Sequence, residues 1–113
     1  MTEEDEIQTA LTAIEQQMRR MIEGGIQPYD SGRKIWGIAM AHASKSNEII
    51  WPLWLIWGAL TDWAETKPDE QMQAEQEMLR AAREWLSLKP NDTKAKTAYL
   101  DRWVYDEMKY ERK

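Results

Sequence analysis

The chain has 113 residues, with 20 Asp and Glu against 15 Lys and Arg, and a formal net charge of −5. A chain of this length fits one domain with its own core, so we predict a single domain over residues 1–113. The acidic charge excludes nucleic acid as the expected partner, because phosphate binding requires a basic face. With no Cys and one His, the sequence excludes disulfides, thiolate catalysis and zinc–thiolate sites. No metal or cofactor is predicted.

The longest apolar run, IIWPLWLIWGAL, covers residues 49–60. A membrane-spanning helix needs about 20 residues, so the run predicts a buried central helix and no membrane partner. A Trp-rich interfacial anchor is disfavoured, because Asp62 and Glu65 follow where such helices carry Lys or Arg. The first ten residues, MTEEDEIQTA, lack the features of a secretory signal. The sequence therefore predicts a soluble, cytoplasmic protein.

The first predicted helix spans about residues 3–23. Thr2 is its expected N-cap, acidic residues favour its start, and Gly24 and Gly25 end it. Its apolar residues recur every three or four positions and suit two alternatives equally, the chain's own bundle or a seam between two copies. These residues are Ile7, Leu11, Ile14, Met18 and Met21.

The second predicted helix follows the breaker Pro28, is capped by Asp30 or Ser31, and ends near Ala43. His42 falls on the apolar face of this helix, in its last turn. We therefore expect His42 to be a structural, hydrogen-bonded side chain.

The third predicted helix begins after Ser46 or Asn47, carries Pro52 in its first turn, and ends near Glu65. It is apolar almost all round, as expected of a helix enclosed by others. Its purely apolar side, predicted to face the core, consists of Ile49, Leu53, Ile56, Leu60 and Trp63. Its least apolar side consists of Trp51, Leu55, Gly58, Asp62 and Glu65.

The fourth predicted helix starts at Pro68 and runs to about Leu88, and the fifth runs from about Thr93 to Tyr110. The short connection at residues 66–67 predicts that the third and fourth helices pack as an antiparallel hairpin. Caps, dipoles and periodicity agree along the chain, so we predict an all-α fold, a compact bundle of about five helices with a central Trp-rich helix. The apolar rows of the fourth helix are Met72, Leu79, Ala82 and Leu86, and beside them Met78, Ala81 and Trp85.

Seven Trp and four Tyr stand beside zero Phe, which is many indoles for a small bundle to enclose. We expect one or two of them to reach the surface and to form part of a binding site, since Trp is enriched in binding hot spots. Partly exposed core indoles without a function are the alternative. The predicted binding residues are Trp51, Trp54, Asp62, Glu65 and Trp85.

The sequence contains no phosphate-binding loop, dinucleotide-binding loop, calcium-binding loop or nucleophile elbow. Two acids, Asp62 and Glu75, fall in apolar rows and are expected to form ion pairs there. Their expected partners are Arg33, Arg80, Arg83 or Arg102.

These features favour a non-enzymatic protein-interaction module, an adaptor or an inhibitor whose acidic surface suits a basic partner such as a toxin or nuclease. A homodimer is also expected, because contiguous exposed apolar surface is rare on monomers. One alternative is a small-molecule or peptide binder with an indole-lined pocket between helices. The other is an enzyme that uses His42 with Asp62 or Glu75.

Overall fold

A computed structural model of the chain describes residues 3–42 and 48–109, and within those ranges the regular structure is entirely helical. A 3₁₀ turn at Pro68–Glu70 leads into the fourth helix, and a π-helical segment at Arg102–Glu107 continues the fifth. The predicted all-α fold is therefore confirmed. The five α-helices of the described ranges are α1 (Glu3–Glu23), α2 (Pro28–His42), α3 (Ile50–Thr66), α4 (Gln71–Leu86) and α5 (Thr93–Asp101).

The first four helices form a closed ring of neighbours: α1 packs against α2, α2 against α3, α3 against α4, and α4 against α1. The Trp-rich helix α3 also contacts α5 and the π-helical segment, so it lies at the centre of the bundle. No helix within the described residues is long and apolar enough to cross a bilayer. The largest fully buried side chains include Trp57, Trp85, Trp103, Ile14 and Met78.

The apolar stripe of α1 lies inside the chain's own bundle. Ile14 and Met18 are 0% exposed, and Leu11 is only 5% exposed, because α1 packs against both α2 and α4. Of the two alternatives that the stripe allowed, the internal one is correct, and a dimer seam along it is wrong. Gly24 has a φ of 85°, the left-handed conformation that ends a helix, as predicted.

Prolines mark where two of the helices begin. α2 starts at Pro28, because a proline in the first turn loses no helical hydrogen bond. Asp30 therefore lies inside the first turn of α2 and Ser31 is buried, so neither residue is the N-cap that was predicted. α3 starts at Ile50 and carries Pro52 in its first turn.

The C-terminal ends of two helices differ from their predicted positions. α4 ends at Leu86, beyond which the Leu88 N–H donates to the Trp85 carbonyl and tightens the last turn. In the π-helical segment, the Met108 N–H donates to the Trp103 carbonyl five residues back, at 2.9 Å. Other predicted positions lie outside the described residues: Thr2, Ala43, Ser46, Asn47 and Tyr110.

The core-facing sides of α3 and α4 follow the sequence prediction only in part, because Met72 is exposed and four other predicted positions are partly buried: Ile49, Trp63, Leu79 and Leu86. Leu53 and Leu60 are 0% and 1% exposed. On α4, the row of Met78 and its neighbours is buried, whereas Met72 is 74% exposed. Met72 was predicted to be part of an apolar row, but it lies in the first turn of α4, to one side of the buried row.

Candidate functional site

α2 and α3 lie side by side in opposite directions. Arg33 Nη1 on α2 donates to Glu65 Oε1 on α3 at 3.0 Å. One turn further along α2, Trp36 lies against Gly58, where an added Cβ would be 3.2 Å from the indole. Because the numbers rise along α2 while they fall along α3, the helices are antiparallel. The missing side chain of Gly58 allows the indole to approach α3 this closely.

A groove of about 260 Å³ lies between these two helices. Asp62 and Glu65, two of the predicted binding residues, line it and are both exposed. Thr61 also lines the groove, but its hydroxyl donates to the Trp57 carbonyl at 2.8 Å and is turned toward its own helix. The groove residues are Arg33 and Trp36 from α2, and Gly58, Thr61, Asp62 and Glu65 from α3.

The groove contains one cation and two carboxylates. The hydrogen bond to the Tyr29 hydroxyl and the attraction of Glu65 raise the pKa of Arg33 above its ordinary value. The Arg33–Glu65 pair is a surface pair, with side chains 49% and 43% exposed, and such pairs contribute little to stability. Among the described residues the Asp62 carboxylate has no partner. The groove therefore has a free negative charge.

The expectation that Asp62 and Glu75 form buried ion pairs is wrong. Asp62 is exposed, because its side of α3 faces the groove between α2 and α3. Glu75 accepts a hydrogen bond from the Tyr29 backbone N–H at 3.0 Å, near the start of α2. An unpaired N–H at a helix start favours such a carboxylate, so the role of Glu75 in the structure is to cap α2.

Two further predicted binding residues, Trp51 and Trp54, lie at the other end of the same surface. Both are partly exposed, and their ring centroids are 4.9 Å apart. The antiparallel arrangement places Met40, which is 50% exposed and one turn beyond Trp36, toward this end. We call the whole area the α2–α3 surface. Its acidic end is the groove, and its aromatic end consists of Trp36, Met40, Trp51 and Trp54.

Trp85 lies elsewhere and is buried, so the expectation that it contributes to an exposed aromatic surface is wrong. It is 1% exposed, and its indole N–H donates to Glu15 Oε2 on α1 at 2.8 Å. The Lys96 ammonium lies 5.5 Å from the centroid of its ring. Because its N–H has an acceptor within the chain, this indole can be buried without an unsatisfied donor.

His42 is exposed at the end of α2 and does not lie on the buried face. Ile35 and Ala39 are 0% exposed, whereas His42 is in the last turn, beyond that packing. No described hydrogen bond connects His42 with Asp62 or Glu75. Nor do the described residues include a group of three or more His, Asp or Glu side chains that could hold a metal ion.

An indole-lined pocket of about 360 Å³ does lie between helices, where α3 meets the π-helical segment. Trp63 and Trp103 line it together with Glu77 and Glu107. Arg80 forms ion pairs with both carboxylates, at 2.7 and 3.0 Å, and lies 4.4 Å from the Trp103 ring centroid. Both carboxylates of this pocket are therefore already paired with Arg80.

Sequence reasoning missed the α2 half of the α2–α3 surface. Arg33 and Trp36 are three residues apart and so lie on one side of α2, which is a visible signal. Their relation to Gly58 depends on how α2 and α3 pair, and that pairing is not encoded in the spacing within either helix.

No protein-family model matches the chain, and no curated protein or solved structure is significantly similar to it. A proposal about its function therefore rests on the geometry of the chain's own residues.

Proposed function

We propose that the chain is a non-enzymatic protein-interaction module whose α2–α3 surface docks a basic segment of a partner protein. The observation that carries this proposal is the exposed, unpaired carboxylate of Asp62 beside Glu65 and the Trp36 indole. A lysine or arginine side chain in the groove meets a carboxylate with its charged end and an indole with its alkyl stem.

Charge complementarity selects a basic partner. The groove has two carboxylates and one guanidinium, and the whole chain has a formal charge of −5. A surface of one sign raises the association rate of an oppositely charged partner, and salt weakens that attraction. Since the Arg33–Glu65 pair is half exposed and weak, Glu65 can exchange Arg33 for a cation of the partner at little cost.

The aromatic end of the surface supplies apolar contacts for the same segment. Trp51 and Trp54 are partly exposed and adjacent, and Met40 is half exposed. Buried aromatic anchors contribute most of the energy of many interfaces. From Trp51 to Glu65 the helix rises roughly 21 Å, at about 1.5 Å per residue. An extended segment of about six residues covers this distance, with apolar residues at one end and basic residues at the other.

The test is quantitative capture of proteins from the host lysate by the wild-type chain and by two charge-reversed variants. Asp62→Lys places a cation in the groove. Glu6→Lys makes the same charge change at an exposed position on α1, a helix that borders α2 and α4. We expect basic partners to be lost with Asp62→Lys and retained with Glu6→Lys. Equal loss with both variants means that the overall charge, and not the groove, attracts the partner, and contradicts the proposal.

A further inference from the structure

A second groove, of about 410 Å³, lies between α1 and the connection from α4 to α5. We propose that this groove binds a small monocarboxylate with a short apolar body. Its residues come from α1, α4, the connection that follows α4, and α5, so it is separate from the α2–α3 surface and independent of the function proposed above. Its volume falls in the range of known small-molecule sites.

The deepest side chains of the groove are apolar, and the one polar group among them, the Trp85 indole N–H, is already paired. Trp85 and Leu11 are 1% and 5% exposed, and Leu88 is partly buried beside them. The carboxylate of Glu15 accepts the hydrogen bond from the Trp85 indole N–H at 2.8 Å. This acid therefore has a structural partner, and the apolar surface open to a ligand comes from Leu86 and Leu88, which are only partly buried.

Two cations line the same groove and retain free hydrogen-bond donors. Arg19 is exposed and has no hydrogen-bond or ion-pair partner among the described residues. Lys96 Nζ donates to the Pro90 carbonyl at 2.9 Å and lies 5.5 Å from the Trp85 ring centroid. An ammonium has three donors, so Lys96 can bind a further acceptor.

The balance of charge selects a monoanion. Arg19 and Lys96 contribute two positive charges and Glu15 one negative charge, which makes this groove positive in a chain whose formal charge is −5. A guanidinium binds a carboxylate through two parallel hydrogen bonds. With its carboxylate on Arg19 and Lys96, a ligand places its apolar body on Leu86 and Leu88, above the buried Trp85.

Hexanoate is a suitable probe, with hexanamide as the neutral molecule of the same shape. Titration of the ¹⁵N-labelled chain follows the indole N–H resonance of Trp85, which reports on the floor of the groove. We expect a saturable shift of this resonance with hexanoate and none with hexanamide. Equal shifts with both molecules, or no saturation below about 10 mM hexanoate, overturn the proposal.

Matched variants identify the cations that bind. Arg19→Gln and Lys96→Gln are each expected to weaken hexanoate binding by about tenfold or more, the effect of a lost charge-assisted hydrogen bond. Arg20→Gln and Lys94→Gln remove exposed cations next to these positions but outside the groove, and are expected to leave binding unchanged. If a groove variant and its control variant weaken hexanoate binding equally, the ligand is attracted by the overall positive charge of the region, which contradicts the proposed site.

Discussion

The phenol of Tyr99 donates a hydrogen bond of 2.6 Å to the carbonyl oxygen of Ala81, which connects α5 with α4. Both residues are buried, and the Tyr99 ring centroid lies 5.2 Å from that of Trp85 and 6.1 Å from that of Trp103. The bond satisfies a polar group inside an aromatic cluster. This hydrogen bond and the packing around it therefore help to hold α5 to α4.

Alkaline pH is expected to destabilise the fold through Tyr99. Burial raises the pKa of the Tyr99 phenol above its ordinary value of 10.0. Above pH 10 the unfolded chain loses this proton while the folded chain keeps it, so the free energy of unfolding falls as the pH rises. Urea unfolding between pH 8 and 11 measures the slope. Tyr99→Phe is expected to have a shallower slope and, at pH 8, a loss of about 1 kcal/mol from the missing hydrogen bond. Identical slopes for the wild type and Tyr99→Phe contradict the attribution of this pH dependence to Tyr99.

Acid is expected to destabilise the fold through the ion pairs that hold the π-helical segment to α4. Burial of Glu84 opposes its ionisation, but hydrogen bonds from Arg102 and Trp103 outweigh this effect and lower its pKa below 4.5. Within α4, a hydrogen bond from Arg80, which also pairs with Glu107 of the π-helical segment, lowers the pKa of Glu77. These carboxylates stabilise the folded chain fully at a pH above their ordinary pKa. The stabilisation is lost as the pH falls through their lowered pKa in the folded chain.

Urea unfolding at pH 6 and at pH 3 measures this loss. Glu84→Gln keeps the shape of the side chain but cannot titrate, so we expect it to show a smaller decrease in stability between the two pH values. Glu6→Gln, at an exposed position on α1, serves as the control. The same decrease in wild type and Glu84→Gln is incompatible with the described pairing.

Leu53→Ala and Leu60→Ala are each expected to lower the free energy of unfolding by about 2–5 kcal/mol, because both remove buried methyl groups and leave a cavity. Gln73→Ala, at an exposed position on α4, is expected to change it by less than about 0.5 kcal/mol. Chemical denaturation checks all three variants. A denaturation midpoint for Leu60→Ala equal to that of the wild type contradicts its placement in the core.

Leu11→Glu combined with Ile14→Glu is expected to unfold the chain, because the two side chains are 5% and 0% exposed within one bundle. Circular dichroism and light scattering after size exclusion distinguish the outcomes. Loss of helix in the double mutant at every protein concentration agrees with an apolar stripe that is buried inside the chain's own bundle. A folded double mutant of half the wild-type mass indicates a dimer seam along α1. If the wild type is a homodimer, as its aromatic surface suggests, the interface lies outside this stripe.

The sequence predicts the helices well, because caps and periodicity are local properties. The end of α1 at Gly24 and the burial of Leu53 follow from the residues on either side of them. The predicted start of α2, capped by Asp30 or Ser31, lies too far along the chain. Pro28 is a helix breaker in the prediction, but proline is also a favoured first residue of a helix. The π-helical segment has no local signal of this kind.

The candidate site is harder to predict, because its geometry depends on pairs that are distant in sequence. The burial of Trp85 depends on an acceptor 70 residues away, Glu15. The exposure of Asp62 depends on which side of α3 faces the groove with α2. Its place beside Glu65 follows from helical spacing, but its place beside Trp36 requires the pairing of the two helices.

Site-specific photo-crosslinking from Met40 tests most directly whether the α2–α3 surface docks a basic segment. Met40 is half exposed and one helical turn beyond Trp36 on the same side of α2, so a photoreactive side chain there reaches a docked partner. We predict crosslinks to partner peptides that contain Lys or Arg, greatly reduced by Asp62→Lys and absent when the photoreactive residue replaces Glu6. Crosslinks of equal yield from both positions, or a yield that Asp62→Lys leaves unchanged, would contradict the proposed docking surface.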